Sequence, residues 1–179
     1  MSWGWTLGAS GRSVSVFLLL LTLSALPAGL EAQTLVIAVR HAERADGGAG
    51  AAPMTDAPAD PLLSAAGEAR AARLAGLLAD SGITAIFTTE FRRTQDTAKP
   101  IAAKLGLTTT IIKASDTAGL LARLKASHAN DVVLIVGHSN TLPAVIKGLT
   151  GRDVTIADSQ YDDLFLLVPS AKTMSRLKY

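Results

Sequence analysis

Two stretches, "TLVIAVR" over 34–40 and "DVVLIVGH" over 131–138, limit this fold more than any other feature. Each begins as a continuous apolar run rich in valine and isoleucine. A strand with one face in water alternates apolar and polar residues, because successive side chains point to opposite faces. A run that stays apolar reads as a strand covered on both faces, as in parallel sheets flanked by helices. Both runs end in groups that are costly to bury: Arg40 and His41 after the first, His138 after the second.

Between them the chain alternates helical and strand patterns. Ser64 can cap a helix over about 65–81, with Gly82 after its end. "ITAIFTT" (83–89) reads as a strand, and residues 92–105 as a helix closed by Gly106. "LTTTIIK" (107–113) is a weaker strand, followed by a helix over 117–129 that Asp116 can cap. A short helix over 141–149 precedes Gly151, and "DLFLLVP" (163–169) is the last predicted strand. This order predicts an α/β protein, a three-layer α/β/α sandwich with a mostly parallel central sheet. The stretch 45–61 is rich in Gly, Ala and Pro and reads as a loop. Its glycine-rich part, 46–53, has no lysine and no helix start after it, so it is not a nucleotide loop but a flap bordering a pocket.

The N-terminus stands apart. Arg12, the apolar run "SVSVFLLLLTLSALPAG" and then "LEAQ" read as a secretory signal peptide over 1–32, cut after Ala32. An uncleaved anchor is the alternative, but the apolar run is short for a membrane span. The expectation is an exported protein, periplasmic or secreted, with one domain over 33–179 and no stable membrane insertion after cleavage. There is no cysteine, which excludes disulfides, thiolate catalysis and zinc–thiolate sites. A net charge of +2 with no long basic run gives no support to nucleic acid as a partner.

Ligands of open α/β sheets bind at the carboxyl ends of the strands. Arg40, His41 and His138 lie there, and "TTEFRRTQDTA" brings Arg92 and Arg93 to the same rim. An arginine fork matches phosphate oxygens. A neutral histidine nitrogen can attack phosphorus, and a second histidine can donate to an equatorial oxygen. Transfer of this kind needs no metal or other cofactor, but a carboxylic acid must protonate the leaving oxygen.

Four motifs in order carry a resemblance: "VRHAER", "PLLSAAGEARAARLAGLL", "TTEFRRTQDTA" and "LIVGHSNT". They resemble the histidine phosphatase superfamily, also called phosphoglycerate mutase-like, over nearly all of the mature chain. The small size resembles the branch near the phosphohistidine phosphatases. The resemblance implies that His41 is the phosphorylated nucleophile, with Arg40, Arg93 and His138 binding the phosphoryl group. It aligns Arg93, not Arg92, with the phosphate-binding arginine. Ala42 stands where the family usually has glycine, which the fold tolerates if the backbone there is not in a glycine-only conformation. The acidic stretch of the mutases has no counterpart, so mutase activity is not expected. Asp116 is the first candidate for the acid and Glu43 the alternative. The expected substrate is a small phosphate ester or a phosphoprotein.

Three other readings compete. "GHSNT" looks like a serine hydrolase elbow, yet no histidine follows Ser139 in the chain. His41, Glu43 and His138 could hold a metal, but Arg40 and Arg93 would crowd it with positive charge. A secreted module that keeps a phosphate pocket without turnover is the non-enzymatic alternative. His128 lies near a helix end and carries no expected catalytic role; "QYDDLFLLV" reads as a solvated turn before a strand.

Overall fold

The structure, a computed structural model, describes residues 1–4, 34–47 and 60–179 of the 179. Most of the expected signal segment and most of the expected flap lie outside the described residues. The chain divides into two units, Met1–Leu30 and Glu31–Tyr179. In the first, residues 1–4 have no regular structure; all that follows concerns the second.

Its elements run β1 (Leu35–Arg40), α1 (Ala65–Leu77), β2 (Ile83–Thr88), α2 (Arg92–Leu105), β3 (Thr109–Ile111), α3 (Thr117–Ser127), β4 (Val132–Gly137), α4 (Leu142–Thr150), β5 (Asp163–Val168) and β6 (Thr173–Lys178). One sheet has the order β3-β2-β4-β1-β5-β6. β3, β2, β4 and β1 are parallel, while β5 joins β1 and β6 joins β5 antiparallel. Among the described residues no helix is long and apolar enough to cross a membrane.

The unbroken apolar runs have the predicted cause. Val36 and Ala38 of β1 pack with Val133 and Ile135 of β4 in a core closed by α3 and α4 through Leu120, Leu124, Leu142 and Ile146. The intervening Ile37, Val39, Leu134 and Val136 pack on the other face against Leu74 of α1 and Ile101 of α2. Both sheet faces are therefore covered, which makes the three layers.

Helix ends follow local chemistry. Ser64 caps α1 by accepting from Gly67 N–H, and Asp116 caps α3 by accepting from Gly119 N–H at 2.8 Å. Gly106 and Gly151 end α2 and α4 in the left-handed conformation. The helix expected over 65–81 stops at Leu77, one turn short of Gly82. β6 was not anticipated. Its residues are mostly exposed, and "TMSRLK" lacks the apolar density that betrays a central strand.

Candidate active site

β1 and β4 are in register, with Arg40 opposite Gly137, so their ends deliver His41 and His138 side by side. The His41 N–H donates to the Gly137 carbonyl at 2.9 Å, tying the two strand exits together. The two imidazole rings stand 5.3 Å apart, and both residues are buried.

The His41 Nδ1 lies 2.8 Å from the Ala42 carbonyl. A carbonyl only accepts, so the ring proton of a neutral His41 sits on Nδ1 and Nε2 keeps its lone pair. Burial pushes the His41 pKa down to about 3, with His138, Arg40 and Arg93 adding repulsion. His138 is likewise pushed down to about 4, first by burial and then by Arg93. Both rings are neutral near pH 7.

Ala42 is fully buried against Leu63 and Ala71. It is absent from the positive-φ residues, so the alanine fits without backbone strain. Its N–H donates to Thr97 Oγ1 at 2.9 Å, and the Thr97 hydroxyl donates to the Arg93 carbonyl at 2.7 Å. The loop carrying His41 is thus bonded to the helix carrying Arg93.

Arg40 is anchored from behind. Its Nη1 donates to the carbonyls of Ala157, Asp158 and Gln160 at 2.8–3.1 Å. The guanidinium lies 4.0 Å over the Tyr161 ring. Arg93 lies 4.2 Å over the Phe91 ring and 3.5 Å from Asp60 Oδ1. In both arginines the Nε is buried with no hydrogen-bond partner among the described residues. A buried donor without a partner is costly, and both arginines hold one. The sequence-predicted Arg40, His41, Arg93 and His138 are therefore brought together. Arg92 is not part of the group: its side chain is exposed and its backbone N–H donates to the Asp60 carboxylate.

The two acid candidates are placed differently. Both Glu43 oxygens accept from Arg70, at 2.7–2.9 Å. Burial opposes ionisation of Glu43, but the Arg70 hydrogen bonds prevail and hold its carboxyl below the ordinary range. Glu43 is an ionised strut. Asp116 is exposed and occupied as a helix cap, and it lines a cleft together with Thr89, Gly137 and Thr141.

Several residues at this rim escaped the sequence reading. Thr89 Oγ1 lies 2.9 Å from His138 Nε2 and 3.0 Å from Thr94 Oγ1. Glu90 follows it; one carboxylate oxygen accepts from the Ala114 N–H, and its charge favours the protonated form of His138. Tyr161 is no solvated turn residue: besides covering Arg40, its ring centroid is 5.9 Å from that of His41. Asp163, in the same expected turn, is buried and paired with Arg176 and Lys178. The position of Thr89 beside "RRTQDTA" was the available signal for the first of these. Nothing local marks Tyr161, because its partners lie about 120 residues away in the chain. Ser139 donates to Asp158 at 2.8 Å. His128 pairs with Asp131 at 2.7 Å, at the end of α3.

Comparison with known proteins agrees with this geometry. No curated protein sequence matches the chain. Among solved structures, the domain is similar to "Mycobacterial hydrolase 1" at 14% identity and TM-score 0.60, covering 81% of this chain and 96% of that one. It is similar to the protein histidine phosphatase SixA complexed with tungstate, at 16% identity and TM-score 0.60, covering 80% and 96%. A mycobacterial glucosyl-3-phosphoglycerate phosphatase with inorganic phosphate is similar at 15% identity and TM-score 0.59, covering 81% and 95%. Residues 36–116 match the sequence model of the histidine phosphatase superfamily, branch 1. Over those residues the chain is similar to the histidine phosphatase superfamily, and it shares the fold of the solved phosphatases named above.

Proposed function

We propose that this protein hydrolyses phosphomonoesters in two steps through a phosphohistidine on His41, without a metal. The observation that carries the reading is the neutral His41, its Nδ1 bonded to the Ala42 carbonyl, facing a rim with two buried, unpaired arginine Nε donors. His41 Nε2 attacks phosphorus and the ester P–O bond breaks. The leaving oxygen takes a proton from a carboxylic acid. Water then attacks the P–N bond, the carboxylate recovers a proton from it, and phosphate leaves. Arg40, Arg93 and His138 meet the charge on the equatorial oxygens.

Glu90 is the proposed acid, because its charge acts on His138 while Glu43 is committed to Arg70. Asp116, which lines the adjoining cleft with Thr89 and Gly137, is the second candidate.

The similar structures include phosphatases named for a protein histidine and for a glucosyl phosphoglycerate. The signal-like segment over 1–32 supports export, and with it a small extracytoplasmic phosphate ester over a phosphoprotein. A panel of phosphomonoesters and a phosphohistidine peptide, assayed with EDTA present, tests the proposal. Turnover with a trapped phosphoenzyme is expected. Loss of activity with EDTA that a divalent metal restores would overturn the metal-free mechanism. Phosphate binding without turnover of any substrate would leave a binding module.

A further inference from the structure

The rim contains two matched groupings of side chains. In one, Tyr161 carries the Arg40 guanidinium on its face at 4.0 Å and meets the His41 ring edge-on, centroids 5.9 Å apart and planes at 60°. In the other, Phe91 carries the Arg93 guanidinium at 4.2 Å and meets the His138 ring at 5.3 Å and 88°. The chain has only four phenylalanines, two tyrosines and two tryptophans, so two of them flanking one small rim is a concentrated use. Tyr161 and Phe91 come from different parts of the fold, one before β5 and one before α2.

We infer that Phe91 and Tyr161 are positioning residues that hold the two phosphoryl-binding arginines in fixed planes and set the tilt of the two histidines. This rests on the phosphoryl-transfer reading of the same site. An aromatic face is electronegative and its edge electropositive, so a cation is held on the face. A guanidinium held over a ring face at about 4 Å loses freedom to swing away from it, which restricts the directions its Nε–H can take. Each arginine Nε is buried with no hydrogen-bond partner among the described residues, so the ring under the guanidinium is one of the few contacts that orient that donor. For Arg40 the carbonyls of residues 157–160 fix the far nitrogen, and the ring fixes the plane. For Arg93 the polar side-chain contact among the described residues is the 3.5 Å one with Asp60, so Phe91 carries more of the task. Preorganised donors are what makes a phosphoryl pocket effective.

The test compares Tyr161→Leu and Phe91→Leu with the ring-preserving Tyr161→Phe and Phe91→Tyr. Two readouts are taken: vanadate inhibition with the KM-against-kcat split, and the Nε–H resonances of Arg40 and Arg93 in the free protein. In the wild type both resonances are expected to be sharp and shifted by the ring current. Each leucine variant should lose that signature at its own arginine only. It should also bind vanadate on the order of 10-fold more weakly, with kcat falling more than KM rises. The ring-preserving variants should restore both. A leucine variant that melts earlier yet keeps its resonance and vanadate affinity would overturn the inference and reduce the ring to packing. Tyr161→Phe behaving like Tyr161→Leu would also overturn it, in favour of a hydroxyl role. If the wild type binds neither vanadate nor substrate, the phosphatase reading fails, and the resonances of the free protein still decide whether the rings fix the arginines.

Discussion

The imidazole rings of His41 and His138 stand 5.3 Å apart with their planes at 61°. At that spacing in a buried pocket with two arginines, a proton on either ring is repelled by every cation around it. The pair is built to stay neutral, so one ring can be a nucleophile and the other a donor to the same phosphoryl group.

Replacing His41 by Ala should abolish the phosphoenzyme and lower turnover at least ~10³-fold, as for removal of a nucleophile from a catalytic unit. Acid-quench labelling with a radioactive phosphate ester checks it. A labelled His41→Ala protein would place the nucleophile elsewhere.

Arg93→Ala should cost on the order of 10²-fold in kcat, the size expected for one preorganised donor. Arg92→Ala should cost much less, since the Arg92 side chain is exposed. Steady-state kinetics on one ester separates the two; equal losses would contradict the division seen at the start of α2.

The depressed histidine pKa values, about 3 for His41 and about 4 for His138, have two consequences. Activity should persist well below the ordinary imidazole pKa of 6.5, with its acid limb set near the lowered values or by the leaving-group acid. Stability should change in the opposite sense to that of a paired histidine. Below about pH 6.5 the unfolded chain takes up protons that the folded site refuses, so stability falls as pH drops toward 4. The slope is at most about 1.4 kcal/mol per pH unit for each ring. Urea melts at pH 7 and pH 5 on wild type and His41→Ala measure this, and the variant should lose less.

Removing a general acid hurts a poor leaving group most. Glu90→Gln should slow alkyl phosphate hydrolysis about 10²-fold or more, within the usual range for acid catalysis, and nitrophenyl phosphate hydrolysis little. Asp116→Asn should change both little, because an asparagine oxygen can accept the same Gly119 N–H and keep the α3 cap. A selective alkyl effect in Asp116→Asn alone would return the acid role to Asp116.

A fifth expectation concerns packing. A Cβ on Gly67 would sit 2.3 Å from the Glu43 carbonyl oxygen, two residues past His41. Gly67→Ala should cost about 1–3 kcal/mol by overpacking and lower kcat as well, because the loop that must yield carries His41, the proposed nucleophile. Thermal melts with kinetics test this; an unchanged melting point would mean that α1 slides freely.

Much of the site could be read from the chain because parallel sheets put function at strand ends. Arg40, His41 and His138 directly follow unmistakable apolar runs, and Ser64 and Asp116 announce their helices. What stayed hidden depends on long-range contact. Tyr161 looks like any turn residue until β5 returns beside β1. Glu43, one of two carboxylates weighed as the acid, is taken by Arg70, 27 residues on, a partner that spacing alone does not reveal. β6 is held by pairing with β5 and by the Arg176 and Lys178 contacts to Asp163, not by an apolar pattern.

The carbonyls that grip Arg40 lie 117 to 120 residues further along the chain. A polypeptide that has folded β1 through α4 but not yet closed the segment at 157–160 has its arginine unheld. Anion affinity is then expected to be a late property, acquired only when the segment after α4 docks. Phosphate or vanadate should consequently bind no partly folded form of this domain, and should stabilise the complete one by mass action. A bound oxyanion becomes a gauge of finished assembly.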